Sequence, residues 1–139
     1  MTLPDDRIVR ASLAGTLVFT VVAVAAALAP DALAVVAVVV DLALFGAGCV
    51  AFSAALLRAA ARSRTDELTL AGLFWLSGSA PATVRRALLG SFGAQVVVAF
   101  ATAAARPFTG LAFGILVWVY GLGLIGLWGA RAGAFPPRV

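Results

Sequence analysis

Long apolar runs alternate with short polar punctuation along this chain. The first run covers residues 10–29 and stops at Pro30-Asp31, a turn pair. The second covers residues 32–57 and runs into Arg58, Arg62 and Arg64. The third, residues 84–105, opens at Arg85-Arg86 and stops at Arg106-Pro107. The fourth, residues 108–130, precedes Arg131 and the Phe135-Pro136-Pro137-Arg138 segment. Each run matches the roughly 20 residues a helix needs to cross about 30 Å of hydrocarbon. Strands of a membrane barrel would instead alternate in polarity over about ten residues. The pattern predicts an all-α polytopic membrane protein, one domain over residues 1–139 with four transmembrane helices in two antiparallel hairpins.

A shorter apolar piece lies between the second and third runs. Thr65-Asp66-Glu67 reads as a helix start, with Thr65 as N-cap and acids in the first turn. Leu68, Leu70, Leu73, Phe74, Trp75 and Leu76 follow, Ser77-Gly78-Ser79 breaks the run, and Pro81 can open the next helix. Residues 66–77 are too few to span. They predict an interfacial or re-entrant cytoplasmic helix, with Phe74 and Trp75 near headgroup level. The alternative is a cytoplasmic extension of the third span that packs on its neighbours.

Composition fits lipid as the solvent: 63% of residues are hydrophobic, 12% are charged, and mean hydropathy is +1.10. A pI near 11.1 raises nucleic-acid binding. The Arg stand at the ends of apolar runs, however, and not as a clustered basic face. Lys is absent, and nine of the ten Arg fall in the N-terminal, central and C-terminal segments, leaving only Arg106 on the other side. That bias predicts both termini in the cytoplasm, at the cell membrane. Arg7, Arg10 and the small residues Ala32-Leu33-Ala34 also resemble a signal peptide, but cleavage there would cut into the second run. The single cysteine, Cys49, excludes thiol-redox membrane enzymes that need cysteine pairs. The absence of His excludes His-ligated haem or metal and His general-base chemistry. No GxSxG, P-loop or metal-ligand spacing occurs, so no cofactor or metal is expected.

Four polar residues count to a similar depth. Asp41 lies ten residues after Asp31, about 15 Å along a helix. Gln95 lies eleven residues before Arg106, Tyr120 eleven after Thr109, and Thr20 ten before Pro30. A charge at the bilayer centre costs about 2.5–3.5 kcal/mol on insertion scales, so Asp41 is expected to face the bundle interior. Gln95 and Tyr120 are its candidate hydrogen-bond partners, with Thr20 a weaker member. The group reads either as a node that fixes helix register or as a proton or cation site.

Small residues crowd the fourth run. Gly110 and Gly114 form a GxxxG, Gly126, Gly129 and Gly133 follow at helical spacing, and Gly126 with Ala130 makes a second small-xxx-small pair. Such residues let helices approach closely in lipid. Internal bundle packing is the simpler role, and homo-oligomerisation the sharper one.

Several stretches resemble small four-span integral membrane proteins of actinobacteria: Thr65-Asp66-Glu67, Ser77-Gly78-Ser79-Ala80-Pro81, Arg106-Pro107-Phe108, Gly126-Leu127-Trp128-Gly129-Ala130 and Phe135-Pro136-Pro137. The resemblance implies the four-span fold and no activity. Small multidrug exporters carry an essential acid in their first span, where this chain has none, and dual topology conflicts with the Arg bias. The expected function is a non-enzymatic accessory or structural subunit, or a homo-oligomer, acting through helix packing. Its partners are the bilayer and another membrane protein or a second copy, with no nucleic acid. The alternative is a small proton- or ion-coupled transporter or channel using Asp41. An enzyme would have to work at the cytoplasmic surface with Arg85, Arg86, Asp66 and Glu67.

Overall fold

A computed structural model describes residues 6–139. The described chain is helical, with α1 (Asp6–Leu28), α2 (Pro30–Arg62), α3 (Leu70–Phe74), α4 (Ala82–Ala105), a 3-10 segment (Gly110–Leu116) and α5 (Val117–Ala132). Four stretches are long and apolar enough to cross a membrane: Arg7–Leu28, Pro30–Arg62, Ala82–Ala105 and Gly110–Ala132. The protein is a multi-pass all-α membrane protein. Arg7, Arg10, Arg58, Arg62, Arg64, Arg85, Arg86, Arg131 and Arg138 gather at one end of the bundle, with Arg106 at the other.

The second span is longer than expected, Pro30–Arg62 in place of 32–57. Proline occupies its first turn, where a missing N–H is harmless. At the other end Arg58-Ala59-Ala60-Ala61-Arg62 continues the helix with strong helix formers. At 33 residues it measures about 50 Å, well beyond the hydrocarbon. The fourth span, expected as one helix over 108–130, opens as a seven-residue 3-10 segment before becoming α-helical at Val117. Phe108 precedes it with φ 62°, and the Thr109 hydroxyl accepts from the Leu111 N–H. Gly110 and Gly114 favour the α-helix weakly, and both are pressed against neighbours, Val38 and Phe19.

The segment between α2 and α4 departs most from expectation. Its helix is only Leu70–Phe74, and Thr69 rather than Thr65 is the cap, its hydroxyl accepting from Gly72 N–H at 3.0 Å. The cause is the C-terminal tail. Glu67 N–H donates to Pro136 O at 2.8 Å, and Arg138 N–H donates to Thr65 O at 2.7 Å, so 65–67 is held as an extended bridge. Asp66 does not serve a helix start; its carboxylate pairs with Arg62 Nε at 2.6 Å. Arg62 also lies 5.1 Å over the Phe135 ring and reaches Ala130 O at 3.4 Å. Ala134 N–H donates to Ser79 O at 2.8 Å, completing the lacing of tail to loop. Phe74 is half-buried, stacked on Phe52 with centroids 5.7 Å apart, while Trp75 is exposed.

In the bundle α5 touches every other helix, whereas α2 and α4 do not meet. The most extensive interface joins α2 to α5, which run parallel. Gly48 lies against the Tyr120 backbone, and a Cβ on Gly123 would come within 2.6 Å of Gly48 O, so the two main chains are in contact. Glycine is required there by space. Replacing Gly48 with Leu therefore lowers stability by about 1–3 kcal/mol or more. Gly93→Leu, whose Cβ would meet nothing within 4 Å, is the matched control and stays within about 0.5 kcal/mol of wild type. Unfolding in mixed micelles followed by tryptophan fluorescence reads both.

Candidate functional site

The polar groups inside the bundle are placed by helix-face spacing. Ser12 and Thr16 stand four apart on α1, and Ser91 and Gln95 four apart on α4, so each pair shares a face. The two faces meet. Gln95, fully buried, donates from Nε2 to Thr16 Oγ1 at 2.8 Å, and Thr16 donates in turn to Ser12 O at 2.7 Å. Gly121 on α5 makes room for the Gln95 carboxamide. Tyr120, also on α5, lies in the notch left by Gly15 and donates its hydroxyl to Ala11 O. Thr16, Gln95 and Tyr120 thus form one polar layer shared by α1, α4 and α5.

Asp41 is outside that layer. It is buried on the face of α2 that also carries Ala37, Gly48, Ala51 and Ala55. Gly48, beside Tyr120, lies seven residues further along α2, which sets Asp41 about 10 Å from the layer. Among the described residues no hydrogen bond or ion pair reaches Asp41. Equal distance from the turns does not give equal depth, because the turns are staggered. Gly110 packs on Val38, eight residues into α2, so the last span starts about 12 Å below the start of α2. The 3-10 segment also rises about 2.0 Å per residue rather than 1.5 Å, pushing Tyr120 further down. Thr20 is half-buried one turn beyond Thr16 and lines a groove with Thr16 and Ser91.

No protein-family description, curated protein or solved structure matches this chain.

The counting from the turns found Gln95 and Tyr120 but missed Thr16, Ser12 and Ser91. Their signal was the four-residue spacing of hydroxyl and amide residues on two otherwise apolar helices. The glycines singled out in the last span all face inward. Gly110 meets Val38, Gly114 meets Phe19 and Ala99, Gly126 meets the Phe74 ring and Gly129 meets the Leu73 backbone. Ala130 is buried beside them. Three buried polar atoms at or next to the α1/α4 contact, Ser12 Oγ, Ser91 Oγ and Gln95 Oε1, have no hydrogen-bond partner among the described residues.

The Thr16–Gln95 bond has a chemical signature of its own. Thr16→Val strands a buried amide donor and lowers stability by about 1 kcal/mol, within the range for interhelical hydrogen bonds in lipid. Adding Gln95→Leu removes the stranded group, so the double variant is more stable than Thr16→Val alone. A double-mutant cycle on unfolding midpoints measures the difference.

Proposed function

We propose that this protein is a non-enzymatic membrane component that works by helix packing, pairing laterally with a second copy through the outward face of α2. One observation carries the reading. The α5 glycines are consumed inside the bundle, while α2 is the least covered span, 17% buried against 50% for the last. Val39, Ala43, Gly46, Val50, Ser53 and Leu57 recur at alternating spacings of four and three, and all are exposed. A Cβ at Gly46 would meet nothing within 4 Å, so the centre of this stripe is open to a neighbour. Alternate three- and four-residue spacing with small central residues suits two parallel helices related by a two-fold axis. The polar side chains of the interior support a structural role, since Gln95, Thr16 and Tyr120 bond one another or backbone carbonyls. The Arg-rich end supports cytoplasmic placement of both termini.

A second reading rests on Asp41. A carboxyl buried to 3% exposure, with no partner among the described residues, has no evident packing role. That favours a proton or cation site in a small transporter. Three surface grooves, of about 420, 340 and 300 Å³, are lined by other residues.

Cys49, exposed on α2 between Gly46 and Ser53, reports on the first reading. A short bismaleimide added to native membranes is expected to cross-link Cys49 into a dimer band, which Cys49→Ser abolishes and Gly46→Leu greatly reduces. Absence of that band at any protein density would refute the pairing. For the second reading, liposomes loaded with a pH dye are expected to show proton flux that Asp41→Asn abolishes. Equal flux from the variant would remove Asp41 from any transport path.

A further inference from the structure

Neither lateral pairing nor Asp41 involves the α1/α4 side of the bundle. There the small residues Gly90 and Ala94 leave a groove of about 420 Å³ against Leu13 and Leu17 of α1. Arg86 stands at its Arg-rich end and Ser91 in its wall. A hollow of about 300 Å³ that includes Arg85 opens beside it, and Arg86 lines both. Two properties of this groove point to an amphiphile with a negative head. The Arg86 side chain is exposed and takes no partner among the described residues, whereas Arg85 Nε is already held by Trp75 O at 3.1 Å. Ser91 lines the groove at 5% exposure, and its hydroxyl, buried just behind the wall, has no hydrogen-bond partner among the described residues. A buried hydroxyl left so is costly unless something supplies a partner.

We propose that the groove binds one anionic phospholipid of the surrounding bilayer. Its phosphate lies on the Arg86 guanidinium, an ester carbonyl accepts from the Ser91 hydroxyl, and an acyl chain runs along Leu13 and Leu17. The spacing suits this. Ser91 is five residues, about 7.5 Å, deeper than Arg86 along α4. The long Arg stem carries its charge outward to the headgroup level while the carbonyls of the same lipid sit below. Guanidinium binds phosphate in a fork of two hydrogen bonds, and basic pockets between membrane helices suit anionic headgroups. A zwitterionic lipid would fill the same apolar space but would bring a cation next to Arg86 and Arg85.

The test uses the full chain reconstituted in vesicles of equal parts dioleoylphosphatidylcholine and dioleoylphosphatidylglycerol, released into mild detergent and weighed by native mass spectrometry. Retained phosphatidylglycerol is expected to exceed phosphatidylcholine by about fivefold, the weight of one guanidinium near an anionic surface. Arg86→Ala should bring the two lipids to parity with an unchanged thermal midpoint. Gly90→Leu, which fills open space in the groove, should remove both adducts. Arg64→Ala, at the same end but outside the groove, should leave the preference intact. The proposal is overturned if the wild-type protein shows no preference, if Arg64→Ala erases it as fully as Arg86→Ala, or if Gly90→Leu retains phosphatidylglycerol like the wild type.

Discussion

The contact between the α2 and α5 main chains fixes the rest of this bundle. In lipid there is no hydrophobic force to drive helices together, so close van der Waals approach has to do it. Gly48 and Gly123 allow that approach, and the two parallel helices become one rigid slab. With α5 held there, Tyr120 projects across to α1 and Gly121 opens toward Gln95 of α4. The first and third spans then close over the polar layer. The Tyr120–Ala11 bond of that layer depends directly on where α5 is held by α2.

Glycine acts twice in this arrangement, once to admit backbone and once to admit a polar side chain. Gly15 and Gly121 are notches for Tyr120 and the Gln95 amide. Each notch keeps a polar group away from lipid while letting it reach a partner on another helix. The layer thereby fixes the relative rotation of α1, α4 and α5. Shape alone specifies less at an interface of Ala, Val and Leu, because one smooth face slides over another without loss of a particular bond.

Much of the fold was legible because bilayer thickness imposes a length that sequence must obey. The four spans follow from that single constraint, and the gathering of Arg at one end from the charge bias between successive loops. Gln95 and Tyr120 were legible as polar residues within apolar runs. What they bind was not, because Thr16 lies 79 residues from Gln95 and nothing local marks the pair. The depth of Asp41 relative to them was not legible, since counting from turns assumes that the turns are level. The short α3 was overextended for a related reason. Thr65, Asp66 and Glu67 have the local chemistry of a helix start, but Pro136 and Arg138 claim their backbone. Local preference there yields to pairing with a distant strand of chain.

That pairing has a bearing on how the protein is made. Arg62 bridges Asp66, Phe135 and the carbonyl of Ala130, which is 68 residues away. During translation the loop after α2 emerges long before the tail that laces it. Until residues 134–138 leave the ribosome, the positively charged end of the bundle stays unfastened, and its helices can still shift against one another. Final registration of that end therefore waits for residues 134–138, and any bulk introduced next to Arg138 would press directly on the fastening.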